Sequence, residues 1–552
     1  MKSAKDGNIR PPAEVDASAS RDTPGERTSK LTRRSLVRNT AVAGGGVAAA
    51  LTTSAAYTPR AAAVAAKQDA GTTFRYVDGT EPNSLDPPIG TGPFGHVVRA
   101  LFEPLLDKNE ALEPQPLLAT DWSVSEDELT WTFNLKQGVT FHDGTDFTSD
   151  AVKYTFDRIL DPEFAAGRRA VFTTIKEIVP DGPHVVKFVT HEKFPDLPSL
   201  LTDRNGAIVS PTAAEQAGAE EFGLNPVGTG PFQFVEWLPN DHITLRRFDG
   251  YHNGPATVDE VIFRAVPGAS SREAMLLAGE ADLIFAPPNE SVASLQENAD
   301  LTVLVFDSLT QVTAEMRQTQ PPFNVKEVRQ AMNYAVDSQA IIDTIRNGLG
   351  SICDSPAPPD VWGAVKLEPY TYDPERAQEL LAAGGYPDGF DGILFYVSGR
   401  WAGDDQVFQA LQAYWGQIGI TIKIQTIDMG SLADALAAEP DERAGYIAGL
   451  IRTSTYLDYH LFRLFHSSST FEAASQRSGY LNPEVDALLD QGRTTFVEEE
   501  RLAAYEEAQR LIWDDAPFIW IFIRQDVAVH RAGVSGFILQ RDGELLFKDV
   551  QV

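Results

Sequence analysis

Gly90-Thr91-Gly92-Pro93-Phe94-Gly95 has the G-x-G-x-x-G spacing that cradles phosphates when it follows a strand and opens a helix. Here Leu85-Asp86-Pro87-Pro88 precedes it, and Pro93 removes one backbone N–H donor. A loop lining a ligand cleft, with Phe94 in it, fits these residues better than a nucleotide site. The histidines are scattered. His460 and His466 are six apart, which places them on different faces of a helix. Neither H-E-x-x-H nor H-x-H occurs, so a built-in metal site has no motif behind it. No G-x-S-x-G and no Cys–His arrangement supports hydrolysis. The single cysteine, Cys353, sits in a Pro/Ser-rich loop and reads as passive. Carboxylates are plentiful, and solvated surface is the default for each. These residue types point to binding, with no cofactor, rather than to a reaction.

Charge narrows what could be bound. The chain has 552 residues and a formal net charge of −32. Residues 1–66 hold ten Lys/Arg and five Asp/Glu, so removing that surplus of five positive charges leaves −37 on the rest. So acidic a body excludes nucleic acid and anionic membrane surfaces as partners by charge. Residues 1–30 are polar and read as disordered. Arg33-Arg34 then leads into the weakly apolar Thr40–Ala56 and the A-x-A-like Ala63-Val64-Ala65. Together these predict a cleavable signal peptide of twin-arginine type, and hence a periplasmic or extracytoplasmic protein. The apolar stretch is short and Gly-interrupted against the roughly 20 apolar residues of a spanning helix. No cysteine lies near the cleavage point for lipidation.

The elements that would position a site follow from periodicity. Leu129, Trp131, Phe133 and Leu135 alternate with polar residues and predict a half-buried strand. Gln137-Gly138 predicts a turn, with Val139 and Phe141 on a second strand. Val152, Phe156, Ile159 and Leu160 share a helical face that Asp161-Pro162 ends. Asn324 with Glu327 predicts a capping box. Asp373-Pro374 and Asn482-Pro483 predict two capped helix starts. These helices alternate with strands over 392–397 and 420–427, an α/β pattern, and 517–523 reads as a buried strand.

The block Leu129–Pro162, with Leu85-Asp86-Pro87, Asn225–Phe232, Tyr251–Ala256 and Leu277–Leu283 in that order, resembles the family 5 extracellular solute-binding proteins. The resemblance covers about residues 72–552. It implies a two-lobed, periplasmic-binding-protein-like α/β fold with an extra small domain. Domain I would comprise 67–110, 229–300 and 517–552, domain II 111–228, and domain III 301–516. It implies no enzyme but a monomeric receptor that captures a small-molecule solute between its lobes and delivers it to the membrane subunits of an ABC permease. An exported enzyme, or a cofactor or metal carrier on the same scaffold, is the alternative that a twin-arginine signal raises.

The resemblance also implies where the ligand sits. Peptide receptors of the family grip the ligand's amino group with an Asp in a segment that aligns with Ile447–Tyr459. That Asp falls on Thr453, flanked by Arg452 and Ser454. Thr cannot replace a carboxylate opposite an ammonium. The departure argues against an ordinary α-amino peptide and, with Arg452, toward a carboxylate, a phosphate, a sugar or a modified peptide. Pairing of Arg452 with a local acid such as Asp458 is the structural alternative. Trp401, Trp362, Phe94 and Tyr456 are the aromatic candidates for ligand contact, each of which core packing would also explain. Arg317 is a further candidate, near the expected crossing into domain III, with a structural ion pair as its other reading.

Overall fold

A computed structural model of the chain describes residues 71–89, 95–164, 166, 169–398, 401, 403–428, 431, 446–453, 455–469 and 478–552. The signal-peptide expectation, Phe94 and Ser454 lie outside the described residues.

The first strand, β1 (Thr73–Asp78), leads through α1 (Gly95–Leu101) into a small four-stranded unit. Its strands are β2 (Ala119–Val124), β3 (Thr130–Leu135), β4 (Ile175–Pro180) and β5 (Val185–Thr190), in the order β2-β3-β5-β4, all antiparallel. α2 (Ser149–Leu160) belongs to the same unit. Trp131, Phe133 and Leu135 of β3 are buried with Phe141, Phe156 and Phe188, as the alternation demands. Val139 and Phe141 differ from expectation. They are buried, but no strand forms there, only an isolated bridge between Thr140 and Asp146. Their side chains are anchored while the chain turns through Gly144 (φ 82°).

The chain returns through β6 (Phe232–Leu238), β7 (His242–Arg247), β8 (Glu260–Ala265), α3 (Ala269–Ala278) and β9 (Leu283–Phe285). β10 (Leu301–Met316) then carries it into the second lobe. That lobe holds α4 (Lys326–Tyr334), β11 (Gly350–Ser351), α5 (Pro374–Ala383), β12 (Asp391–Val397), α6 (Asp404–Gln417), β13 (Thr421–Ile427) and β14 (Tyr446–Thr453). Helices α7 (Leu457–Phe465), α8 (Pro483–Thr494) and α9 (Glu498–Asp515) follow, and β15 (Phe518–Arg531) leads back.

One 11-stranded sheet runs through both lobes in the order β13-β12-β14-β10-β15-β9-β1-β8-β7-β6, with β11 added on β15. β10 and β15 are its axis. Their antiparallel register runs from Leu301↔Arg531 to Glu315↔Phe518 and shifts between Asp307 and Gln311. Such a bulge bends a strand pair and increases its twist. β9 pairs with β15 on one side of the bulge, and β14 pairs with β10 on the other. The bulge therefore divides the lobes, and two strands alone carry the chain across it. The strand expected over 517–523 continues to Arg531 because its second half pairs in the first lobe.

Each lobe has its own core. In the second, Val312, Ala314 and Met316 on one face of β10 pack with Phe408, Leu411 and Trp415 of α6. In the first, Phe74, Tyr76, Leu245 and Phe263 gather with Phe547 from the C-terminal segment. The caps follow the sequence in two places of three. The Asp373 side chain accepts from Arg376 N, and Asn482 accepts from Glu484 N and Val485 N. α4 instead begins after Val325, with no side-chain cap, because a backbone turn occupies the preceding residues: Asn324 N bonds Gln320 O and Val325 N bonds Pro322 O. Replacing Asn482 with alanine should lower stability by about 1 kcal/mol, the usual value of such a cap. A shift of the urea midpoint at unchanged slope would measure it.

The small unit is fastened to the first lobe. Arg204 Nη1 lies 2.9 Å from Glu544 Oε1, Arg99 Nε 3.5 Å from Glu544 Oε2, and Lys108 Nζ 3.4 Å from Glu544 Oε2. Lys108 also pairs with Asp542. Glu544 is buried, which alone would raise its pKa, but the three cations outweigh that and hold it down at about 2. Beside this cluster, Glu103 is buried and accepts from Thr229 Oγ1, Tyr251 OH and the His252 ring.

His142 closes the same junction. Gly228 N donates to its Nδ1, so Nε2 carries the proton and donates to Gly230 O at 2.9 Å. Burial lowers its pKa from 6.5 to about 4. A histidine kept neutral by the fold stabilises it above its unfolded pKa, and that contribution is lost as pH falls from about 6.5 to 4. Asp458 has the opposite sign. Burial raises it from 3.8 to about 6, so its contribution is present below 3.8 and is lost as pH rises through 6. The expected result is that His142→Gln flattens the loss of stability between pH 7 and pH 4, whereas Asp458→Asn steepens it. Urea unfolding at three pH values checks both.

Candidate functional site

Both lobes carry parallel strands whose C-terminal ends point at the bulge. In the first lobe β1 is flanked by parallel β8 and β9, ending at Asp78, Ala265 and Phe285. Phe285 pairs with Ala528, and Ala286 N then bonds Val527 O, so β9 ends as it approaches the bulge. In the second lobe β12 is flanked by parallel β13 and β14, ending at Val397, Ile427 and Thr453. Arg452 pairs with Gln311 and Thr453 with Thr310, so β14 also ends at the bulge, from the other side. In open α/β sheets ligands bind outside the carboxyl ends of the strands. Two such edges facing one hinge define a cleft that neither lobe forms alone.

The first-lobe edge is built around Arg272 on α3. Its buried guanidinium donates to Phe285 O at 2.9 Å, Val266 O at 2.7 Å and Pro267 O at 3.0 Å, and to Ala286 O. It thereby ties the ends of β8 and β9 together. A small pocket lies beside the ends of β1 and β8, lined by Asp78, His96, Phe263 and Ala265 among others. Phe285 also meets Phe306 of β10 at 6.0 Å.

The hinge carries a concentration of arginine. Arg524 pairs with Asp526 through Nε at 3.0 Å. Buried Arg346 donates to Leu349 O and Gln525 O, both at 3.3 Å. Burial, and then the charge of Arg524, lower its pKa to about 10, so it stays protonated at neutral pH. Its guanidinium lies 5.8 Å from the Trp401 ring and 5.7 Å from Phe522. Gln311, fully buried, donates to Ser355 O and Ala357 O and holds the Pro-rich loop against β10.

The sequence-predicted residues are therefore only partly gathered. Arg452 and Thr453 are the last two residues of β14, at the bulge. Trp401, shortly after β12, rests on Phe408 and Phe522 beside Arg346. Arg317 follows the far end of β10, six residues beyond Gln311, or roughly 20 Å at 3.3 Å per residue. There it is buried beside Gly479, away from the strand ends. Tyr456 is buried among the small unit's core and packs on Tyr459. Trp362 is 38 % exposed, donates to Glu498 Oε1 at 3.3 Å and lies under the Arg501 guanidinium. Asp458, offered as a local partner for Arg452, accepts from Tyr505 OH at 3.2 Å and lies 3.9 Å from Arg493 Nη2. His460 is buried with its Nε2 2.9 Å from Pro356 O. Burial pushes the Cys353 thiol far up, which makes it inert. Arg272, Arg346 and Gln311 were not singled out from sequence. A buried cation on a helix was the only signal Arg272 offered.

Comparison with known proteins identifies the scaffold. The family model for bacterial extracellular solute-binding proteins, family 5 middle, matches residues 113–460. The chain belongs to this family. The glutathione-binding protein GsiB of Salmonella typhi is 31% identical over 460 residues, 83% of this chain and 90% of that one. The periplasmic binding protein DppA of Helicobacter pylori, solved with the peptide STSA, superposes with a TM-score of 0.76 at 25% identity. That match covers 87% of this chain and 98% of DppA. AgaA from A. tumefacien R10, solved with agropinic acid, gives a TM-score of 0.76 at 26% identity over 87% of this chain and 98% of its own. The chain is thus a two-lobed solute-binding protein of family 5. Among the described residues, no group of three or more His, Cys, Asp or Glu side chains is arranged to hold a metal ion.

Proposed function

We propose that this chain captures a small solute carrying carboxylates, of the glutathione or opine class, outside the cytoplasm and delivers it to an ABC permease. The observation that carries the reading is the pair of arginines at the hinge, Arg346 and Arg524, beside the place where β14 ends in Arg452 and Thr453, in a chain whose net charge is −32. Guanidinium groups suit the planar, bidentate recognition of carboxylates. Thr453 at the position where peptide receptors of the family place an amino-gripping Asp supports the same reading. So do the glutathione named for GsiB and the agropinic acid named for AgaA. Glutathione presents two carboxylates.

Export by the twin-arginine-type signal and action as a monomer without catalysis complete the proposal. The division into domains I, II and III at 110/111, 228/229, 300/301 and 516/517 belongs to it as well. The test is a thermal-shift and calorimetric screen of the mature chain, from about Lys67, against glutathione, opine acids, sugars and short α-peptides. A ligand at 100 times its dissociation constant should add roughly 2.7 kcal/mol. Arg452→Gln should weaken a carboxylate ligand by about 10- to 150-fold, the worth of a charge-assisted hydrogen bond of about 1.5–3 kcal/mol. Tight binding of ordinary α-peptides, unaffected by Arg452→Gln, would overturn the reading.

A further inference from the structure

The lobes touch a second time, away from the hinge. Asp196 of the small unit meets Arg501 of α9 at 2.7 Å, with side chains only 14% and 11% exposed. Arg493 of α8 reaches Glu192 at 3.4 Å and lays its guanidinium 5.3 Å from the Phe194 ring. Trp131 of β3 stacks on Phe496 at 5.8 Å. Tyr456, from the second lobe, is buried among the small unit's core residues.

The small unit is fastened to the first lobe by Arg204 on Glu544 and by the His142 junction. It therefore travels with that lobe, while α7, α8 and α9 belong to the other. Rotation about the β10/β15 bulge has to part this patch. We propose that it is a closure latch, a second lobe-to-lobe contact that holds the ligand-free receptor partly closed. Its geometry is specific. Two arginines each engage a carboxylate of the opposite lobe; the Arg501–Asp196 pair is shielded from water, whereas Glu192 stays half exposed. Parting it exposes Tyr456 and rehydrates the Asp196–Arg501 pair. Tyr456 lies three residues beyond Thr453, so the strand end at the cleft and the latch share one short stretch of chain. The latch would set the fraction of receptor already closed, and apparent affinity scales with that fraction.

Double electron–electron resonance on the mature, ligand-free chain tests this without knowledge of the solute. Nitroxides are placed at Glu126→Cys in the small unit and Glu507→Cys on α9, both exposed. Buried Cys353 does not compete for label. The expected result is a short-distance population that moves mostly to longer distance in Arg501→Ala. Phe496→Ala, which leaves the charged groups in place, should shift it the same way. Arg510→Ala, which removes an exposed pair with Glu506 on the same helix, should change nothing. Thermal unfolding confirms that each variant is folded. A shift in either latch variant without one in Arg510→Ala supports the latch. Unchanged distances in both latch variants, or an equal shift in Arg510→Ala, overturn it.

Discussion

Glu544→Ala is expected to lower the unfolding free energy by about 3–5 kcal/mol. The carboxylate is 4% exposed at its side chain and faces Arg99, Lys108 and Arg204, two of them buried as deeply. Removing it leaves Lys108 with Asp542 and Arg99 with Asp107, but takes from Arg204 the one carboxylate within 4 Å among the described residues. Uncompensated buried charge costs more than the pair contributes. The contribution depends on pH with a defined sign. A carboxylate held at about 2 rather than 4.5 stabilises the fold above 4.5, and that stability is lost as pH falls toward 2. Wild type and Glu544→Gln should therefore converge in stability on acidification. Urea titrations at pH 7 and pH 3 measure this, and a constant gap between the two proteins would contradict it.

Arg272→Met should cost a comparable amount, about 3–5 kcal/mol, and should also abolish solute binding. Four main-chain carbonyls at the ends of β8 and β9 depend on this one guanidinium. Each buried carbonyl left without a donor costs about 1–3 kcal/mol, and entering water recovers part of that. Arg272→Lys is not a conservative rescue, because a single ammonium cannot span the fork geometry that reaches four acceptors. The functional loss follows from position: these carbonyls form the first-lobe rim of the cleft. Thermal unfolding gives the stability term. Binding measured well below the melting temperature separates it from the loss of cleft geometry. A variant that binds normally would show that this rim takes no part in capture.

What could be read directly was local. The Leu129–Leu135 alternation became β3 with Trp131, Phe133 and Leu135 buried. Asp373 and Asn482 became caps because a cap joins a side chain to backbone no more than three residues away. The capping box at Asn324 failed for the same kind of reason in reverse: a local backbone turn, invisible to the pattern, took those N–H groups first. The strand over 517–523 was recognised for half its length. Arg524-Gln525-Asp526 breaks the apolar run, yet pairing with β10 carries the strand through it.

The ordered motifs determined the family, and with it the two-lobed scaffold and its solute-binding role. Tertiary structure alone decided which residues meet. Arg204 and Glu544 are 340 positions apart, and Arg452 is paired in register with Gln311 only through the pairing of β14 on β10. That register is fixed by which faces of distant strands are buried together, a condition no stretch of sequence contains by itself. Trp401 came to the hinge through its packing on Phe522, while Arg317, six residues beyond Gln311 and just past the end of β10, lies at the far end of that strand.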